Sequence, residues 1–418
     1  MTGTKFSGIA SIGEIPAHWK IYRIKSLLSL RSEKNSGDRD LLSVYLDRGV
    51  ISYNDSDGMQ VHKPSADLSN YQNVHIGDFV LNNQQAWRGS VGVSKYDGII
   101  SPAYFVFSLS DKCDPDYMNF LLRDGSMVQQ YETASRGVGT IQRNLYALWF
   151  YESLVALPPL AEQRCIADFL NTKCAEIDAL TADIQTQIDT LEQYKRSVIT
   201  ETVTKGLNPD SEMKDSGVFY MAPMNTSWRL TKIGYICTKL SRSFAPEDTA
   251  LICSNKGKVQ VRADDLTGIM VSDDNAMQGI HAGDIAIHGM DTWHGAIALS
   301  EFDGKITRVV HVCDSTEDKR FIVYYMQHLA FQGVYKLISN GVRGNTSDFR
   351  SWDKVRDIWI AIPKTRQEQK AICDYLDRQC NAVEEVISTK KQQLEVLADY
   401  KKSLIFEYVT GKKEVPLS

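Results

Sequence analysis

Two short stretches of the sequence concentrate amide and guanidinium side chains, the groups that hydrogen-bond to the edges of nucleic-acid bases. The stretch "LNNQQAWRGS" follows an apolar run and supplies Asn82, Asn83, Gln84, Gln85 and Arg88. The stretch "ASRGVGTIQRNL" supplies Arg136, Thr140, Gln142, Arg143 and Asn144. Glycines in the second stretch would let backbone amides approach phosphates closely. This chemistry fits base reading in a DNA groove, although an ordinary polar surface loop would have the same composition.

Catalytic motifs are missing from the sequence. The chain has no G-x-x-x-x-G-K-[ST] loop, no H-E-x-x-H or G-x-S-x-G motif, and no Asp/Asn-Pro-Pro-Tyr/Phe methyltransferase stretch. "RGVGTIQRN" approaches G-x-G-x-x-G but has Gln142 at the last glycine position. His281, His288 and His294 lack the spacing of metal ligands. The sequence therefore indicates a binder or organiser without catalytic residues, metal or cofactor of its own.

The overall composition is that of an ordinary globular protein. The chain has 418 residues, of which 43% are hydrophobic and 24% charged, and its formal net charge of −5 argues against coating nucleic acid by charge alone. Its eight cysteines form no C-x-x-C pair, so we expect buried thiols in a reducing compartment. No signal peptide or membrane-spanning run is apparent, so the expected location is the cytoplasm.

The chain repeats itself once. Gln163 and Gln369 are 206 positions apart, the same offset relates Asp168 to Asp374, and "WRG" recurs as "WHG" at that distance. Near the start, "SGIASIGEIPAHW" matches "SGVFYMAPMNTSW" at an offset of 209. Because solenoid units have only about 20–50 residues, the repeat indicates duplication of a whole domain.

The second copy has a counterpart of each candidate loop, with different side chains. "IHGMDTWHGA" supplies His288, Asp291, Thr292 and His294. "SNGVRGNTSDFR" supplies Asn340, Arg343, Asn345, Thr346 and Arg350. A third group could contact phosphates or simply be solvated, and it consists of Arg31, Lys34, Lys239 and Arg242. Trp87 and Trp293 recur in both copies, which favours a packing role over base stacking.

Each copy ends in a long helix. Residues 161–204 contain no Gly or Pro, and their apolar residues follow a heptad-like spacing that the second copy shares. We expect the two helices to run antiparallel and to bury this seam against each other, with a head at each end. The seam and partner-docking residues are Ile177, Leu180, Ile184, Leu191, Tyr194, Val383, Leu394, Leu397 and Tyr400.

The predicted fold class is α+β, with two α/β domains separated by two long antiparallel coiled-coil helices in a pseudo-twofold repeat. The predicted boundaries are 1–156 and 207–361 for the two globular domains, and 157–206 and 362–418 for the two spacer helices. The short runs in the heads, bounded by Gly, Asn and Asp, predict strands, and each head has one predicted helix.

The sequence resembles the specificity subunit of type I restriction–modification systems. The resemblance rests on "SGIASIGEIPAHWKIYRIKSL", "LPPLAEQRCIADFLNTKCAEIDAL" and "IPKTRQEQKAICDYLDRQ", and it extends through both copies. One departure is "APMNTSW", a poor copy of "IPAHW" that leaves the N-terminal packing of the second head in doubt.

The resemblance implies a specific division of labour. Each head would be a target-recognition domain that reads one half of a bipartite double-stranded DNA site, and the helices would set the spacer and dock two methyltransferase subunits. Restriction subunits would join this core. S-adenosylmethionine, ATP and Mg would be bound by those partner subunits, and the complex would methylate DNA and defend against phage.

Two other functions make different demands on the sequence. A catalytic restriction–methylation fragment would need the motifs that are absent here, and S-adenosylmethionine binding by the purified chain would favour it. A two-headed coiled-coil adaptor without DNA specificity would have the same helices, and a complex that protects no DNA sequence would favour it.

Overall fold

Short strands dominate each head, as the apolar runs between Gly, Asn and Asp predict. The structure is a computed structural model, and it describes residues 3–35, 37, 39–56, 64–65, 67–138, 142–262, 276–339 and 348–416. Contacts divide the chain into unit 1, residues 1–184 with 392–418, and unit 2, residues 185–391. Each unit therefore combines one head with part of each long helix.

The head of unit 1 is built around a mixed set of strands and short helices. Its strands are β1 (Thr4–Phe6), β2 (Glu14–Pro16), β3 (Lys20–Arg23), β4 (Leu28–Leu30), β5 (Leu42–Tyr45), β6 (Gly49–Ser52), β7 (Gln72–Val74), β8 (Phe79–Asn82), β9 (Val91–Val93), β10 (Gly98–Ile100), β11 (Tyr104–Leu109), β12 (Ser135–Val138), β13 (Gln142–Leu145) and β14 (Leu154–Leu157). Its helices are α1 (Pro115–Arg123), α2 (Gly125–Thr133) and α3 (Ala147–Tyr151), and they precede the long α4 (Leu160–Lys205). The single predicted helix of this head is therefore wrong, because Asp124, in an extended conformation, ends α1 and caps α2. A four-stranded antiparallel sheet in the order β4-β11-β8-β9 carries the central core residues Phe79 and Phe107.

The head of unit 2 repeats this plan. Its strands are β15 (Met213–Lys214), β16 (Met224–Asn225), β17 (Arg229–Lys232), β18 (Cys237–Lys239), β19 (Leu251–Ser254), β20 (Lys258–Val261), β21 (Met277–Ile280), β22 (Ile285–His288), β23 (Ile297–Leu299), β24 (Gly304–Thr307), β25 (Val310–Ser315) and β26 (Trp359–Ile362). Its helices are α5 (Ile233–Ile236), α6 (Lys319–Phe331), α7 (Val334–Leu337) and α8 (Trp352–Arg356), and they precede the long α9 (Arg366–Val409). The sheet order β18-β25-β22-β23 matches that of unit 1, strand for strand.

A buried glutamine fixes the start of each long helix, which explains why the sequence repeats it. Gln163 accepts the backbone N–H of Asp114 at 2.9 Å and donates to the carbonyls of Lys112 and Pro158. Gln369 makes the same bonds to the N–H of Asp318 and the carbonyl of Pro363. Because a buried amide must have its hydrogen bonds satisfied, these contacts tie each long helix to the N-terminus of a head helix.

The entry segment of each head packs on the same helix start. The indole N–H of Trp19 donates to Glu162 at 2.9 Å, and that of Trp228 donates to Glu368 at 2.9 Å. Both tryptophans are buried. The poor match of "APMNTSW" to "IPAHW" therefore leaves this part of the N-terminal packing of the second head unchanged.

Glycines end both long helices. Gly206 follows α4 with a φ of 90°, and Gly411 follows α9 by two residues with a φ of 71°. This left-handed conformation is the usual stop signal of a helix and favours glycine. At Gly411 a Cβ would lie 2.4 Å from Pro16, so the close approach of the entry segment also requires glycine.

The two long helices are antiparallel within each unit. In unit 1, the rings of Phe169 and Tyr408 pack at a tilt of 40° with centroids 4.6 Å apart, and Asp178 pairs with Lys401 at 2.6 Å. Residue numbers therefore increase along α4 in the direction in which they decrease along α9, so the helices are antiparallel in this unit. In unit 2, Lys195 pairs with Glu384 at 2.5 Å. Lys258, from the head, completes that pair at 2.6 Å from Glu384.

The buried stripe on α4 contains an 11-residue spacing in addition to the predicted heptad-like one. Its clearest members are isoleucines 11 positions apart, all of them buried: Ile166, Ile177, Ile188 and Ile199. At 3.6 residues per turn, seven residues fall about 20° short of two turns and eleven residues pass three turns by about 20°, so neither spacing alone keeps residues on one face. The buried face of α4 accordingly also contains Ile177 and Ile184, which are seven positions apart.

The predicted seam residues divide accordingly. Ile177, Ile184 and Val383 are buried, and Leu191, Leu394 and Leu397 are half-buried. The predicted burial is wrong for three residues, which are 48%, 50% and 53% exposed: Leu180, Tyr194 and Tyr400. Tyr194 stands five positions before Ile199, about 140° around the helix from the stripe.

Seven of the eight cysteines are buried, as expected for small apolar side chains, but Cys165 is exposed on α4. Among the described residues, no helix combines the length and the apolar character needed to cross a membrane.

Candidate nucleic-acid interface

In unit 1 the fold brings together the two candidate loops, which are about 50 residues apart in the sequence. The backbone N–H of Leu145 donates to the side chain of Asn83 at 3.0 Å and to its carbonyl at 3.1 Å. The guanidinium of Arg143 lies 4.8 Å from the ring centroid of Trp87. The loop after β8 and the β12–β13 hairpin therefore form one continuous surface, which the sequence could not show.

The candidate residues of this surface differ in what they can offer to a ligand. Gln84, Arg88 and Arg136 are exposed. Asn83 is half-buried and uses its side-chain oxygen on Leu145, which makes it a support for the hairpin.

The remaining candidates have other surroundings. Asn82 and Gln85 are half-buried, and the Asn82 oxygen accepts the N–H of Gln84 at 3.0 Å. Arg143 pairs with Glu132 at 2.8 Å. Thr140 lies outside the described residues, as does the side chain of Gln142, whose backbone begins β13.

Aromatic rings lie under the arginines of this surface. Arg88 lies 4.6 Å from the centroid of the half-buried Trp87, and Arg143 lies 4.8 Å from the same centroid. Arg136 lies 4.2 Å from the centroid of Trp149, and Tyr146 packs on the same indole at 5.5 Å. Cation–π contact holds a guanidinium in place without removing its hydrogen-bond donors. Trp149 was not among the predicted residues, although the aromatic run "LYALWFY" directly after the hairpin was a signal.

In unit 2 the corresponding loop has a different character. Thr292 is buried, so it is not available to a ligand, whereas His294 is exposed. The Nδ1 of His288 accepts the backbone N–H groups of Met290 and Asp291 at 3.3 and 3.2 Å. Burial lowers the pKa of His288, so this imidazole is neutral at pH 7 and contributes no positive charge.

A second segment of unit 2 lies against this loop. The N–H of Phe349 donates to the carbonyl of Gly289 at 3.0 Å, and the carbonyl of Phe349 lies 2.7 Å from Nε2 of His311. The exposed Arg350 is thereby placed beside Met290. Four further candidates lie outside the described residues: Asn340, Arg343, Asn345 and Thr346.

The repeated tryptophans differ in their surroundings. Trp293 packs against the core of unit 2, donates to Ser339 at 3.1 Å and has Lys336 over its ring at 5.7 Å. This placement agrees with a packing anchor. Trp87, by contrast, supports two arginines at the surface.

Two of the four proposed phosphate-contacting side chains instead make a repeated internal ion pair. Arg31 donates to Asp78 at 3.0 Å, and Arg242 donates to Asp284 at 2.6 and 2.8 Å. Both aspartates are buried, and the bond to Asp284 raises the pKa of Arg242. These arginines therefore brace the turn before the central strand β8 or β22. Of the other two, Lys34 lies 3.3 Å from Asn70 and Lys239 is exposed.

Within the ranges that the structure describes, no cluster of three or more His, Cys, Asp or Glu could hold a metal ion. His288, His294 and Asp291 lie close together, but the Nδ1 of His288 already accepts two backbone N–H groups.

A comparison with curated proteins finds a match over nearly the whole chain. No family model matches the sequence. A protein of Methanocaldococcus jannaschii described as the type I restriction enzyme MjaX specificity subunit is 23% identical over 439 residues, covering 97% of this chain and 96% of that protein. The motif-based resemblance to type I specificity subunits is confirmed by this match.

Solved structures show the fold. A chain from a structure described by complex assembly and conformational transition of the type I R-M system has a TM-score of 0.70 at 16% identity, covering 96% of this chain and 99% of that chain. The HsdS subunit from Thermoanaerobacter tengcongensis has a TM-score of 0.48 at 16% identity, covering 96% and 98%. The first of these matches confirms the predicted fold class of two α/β heads with long helices.

Proposed function

We propose that this chain is the DNA-recognition subunit of a type I restriction–modification complex, in which each head reads one half of a bipartite DNA site. One observation carries the proposal: two heads with the same sheet order present different side chains at equivalent loop positions. Similarity to a type I specificity subunit over 97% of the chain supports it. The chain itself would bind and position, and partner subunits would perform the chemistry in the cytoplasm.

The loop chemistry fits two different half-sites. The 206-residue offset aligns Arg88 with His294 and Gln85 with Asp291. An arginine pairs well with guanine and an amide with adenine, whereas a carboxylate accepts from cytosine. Two heads with equal side chains would read a symmetric site, so this divergence favours an asymmetric one.

The long helices offer a repeated surface for two copies of one partner. Leu180 and Val386 are related by the 206-residue offset, as are Tyr194 and Tyr400, and all four are 45–53% exposed. Unit 1 carries Leu180 and Tyr400, and unit 2 carries Val386 and Tyr194, so each unit presents one member of each pair. Exposed apolar groups at equivalent positions suit an interface.

We assign this surface to two methyltransferase subunits, which would carry S-adenosylmethionine. Restriction subunits with ATP and Mg would join the resulting complex. The proposed complex methylates host DNA and cuts phage DNA that lacks the modification.

The test is methylome sequencing of the host with the gene, without it, and with residues 1–156 replaced by the matching head of a relative. We expect deletion to abolish methylation of one bipartite motif, and the exchange to change one half of that motif only. A methylome that does not depend on the gene would contradict DNA recognition. A change in both halves would contradict the assignment of one half-site to each head.

A further inference from the structure

We infer that Leu148 and Trp149, on helix α3 of unit 1, contact the bases of the half-site read by that head. The inference rests on the proposed function and adds a part of the interface that the loop chemistry did not indicate. Leu148 is 79% exposed and Trp149 is 42% exposed. Large apolar side chains this exposed at the surface of a folded head are candidates for contact with another molecule.

These residues belong to the same surface as the candidate loops. Arg136 contacts the ring of Trp149 and is paired across the β12–β13 hairpin with Asn144. The next residue of the hairpin, Arg143, contacts Trp87 in the other loop. One arginine, Arg136, therefore lies on the apolar face of α3, and the hairpin carries a second, Arg143, nearby. Apolar groups beside guanidinium groups suit a DNA groove, where arginines pair with phosphates or guanine and apolar side chains contact thymine methyl groups or base steps.

The second head identifies which partner the face serves. Helix α8 precedes β26 as α3 precedes β14, and both pairs are 205 positions apart, so Leu148 corresponds to Asp353 and Trp149 to Lys354. The side chain of Asp353 is 84% exposed, and Lys354 pairs with Asp348. A docking site for a partner present in two copies would be apolar in both heads. Since these two positions are apolar only in unit 1, they fit the ligand that differs between the heads, namely the half-site sequence.

The test introduces Leu148→Ser and, separately, Trp149→Ser into the host gene. Ile76→Ser is the matched control, because Ile76 is 66% exposed in the same head but precedes β8, whereas the candidate loop follows it. The complex is purified from the host through a tag on this chain, and its affinity is measured for a duplex carrying the motif from the methylome of the unaltered strain.

We expect Leu148→Ser to weaken binding about tenfold, the range of one lost base contact, and Ile76→Ser to leave it unchanged. The factor should be the same at about 50 and about 200 mM salt, because an apolar contact releases no counterion. Arg136→Gln should instead lower the slope of affinity against salt. In the methylome, the first half of the motif should relax, whereas the second half and the gap stay the same.

Three results would overturn the inference: unchanged affinity and motif in both variants, an equal change in both halves of the motif, or loss of partner subunits from the purified complex. The last result would mean that the face docks a protein. Failure of the proposed function is distinguishable, because the unaltered complex would then methylate no motif at all.

Discussion

The exposed tyrosines of the long helices should each hold one partner subunit. We consider Tyr400→Gln in unit 1 and Tyr194→Gln in unit 2, singly and together. Glutamine has a good helix propensity and these side chains are about half exposed, so the chain itself should keep its Tm within about 2 °C.

The expected loss of affinity can be worked from the exposed fractions. A tyrosine presents about 200 Å² of surface, and 53% of Tyr400 is exposed, which leaves about 100 Å² for a partner to cover. At about 25 cal/mol per Å², covering it is worth about 2.5 kcal/mol. Losing this contact weakens one site by about 60-fold.

The assay is purification through a tag on this chain, followed by native mass measurement at a series of partner concentrations. The unaltered chain should carry two methyltransferase subunits, each single variant one at low concentration, and the double variant none. Tyr96→Gln is the control, because Tyr96 is 45% exposed in the turn between β9 and β10, within a head. Two partners bound to the double variant with normal affinity would refute the reasoning, and so would a loss of binding accompanied by a fall in Tm.

Three further predictions follow from the buried stripe, a buried histidine and the helical spacer. Ile188→Ala should lower the free energy of unfolding by about 2–4 kcal/mol in denaturant titrations, whereas Gln193→Ala, at an exposed position of the same helix, should change it by less than about 0.5 kcal/mol, and equal effects would contradict the buried stripe. Burial lowers the pKa of His328 to about 4, so the unfolded chain binds a proton that the folded chain does not between about pH 6.5 and about pH 4. Stability should therefore fall by up to about 3 kcal/mol as the pH drops through this window, and His328→Gln should remove that part of the pH dependence in thermal unfolding curves. Inserting four helical residues after both Ile184 and Lys391 should lengthen the gap in the methylated motif by one or two base pairs. Four residues add about 6 Å at about 1.5 Å each, and one base pair spans about 3.4 Å. An unchanged gap in an active complex would show that the helices do not set it.

Local sequence signals predicted the main elements well. The run without Gly or Pro, with prolines before it and Gly206 after it, predicted a helix over 161–204, and the structure has α4 at Leu160–Lys205. The repeat predicted two similar heads, and both have the same sheet order. Helix starts, helix stops and turns depend on neighbours within a few residues, so their signals can be read from the sequence.

The sequence by itself therefore determined the repeat, the long helices and the candidate loops, whereas the side-chain partners were decided by tertiary structure. The predicted burial failed at Leu180 and Tyr194, because which face of a long helix is covered depends on what packs against it. Arg242 looked like a phosphate ligand until the fold placed the buried Asp284 against it, 42 residues further along the chain. The contact of Trp149 with Arg136 also depends on the fold, because contacts between separate segments form only when strands pair and helices pack.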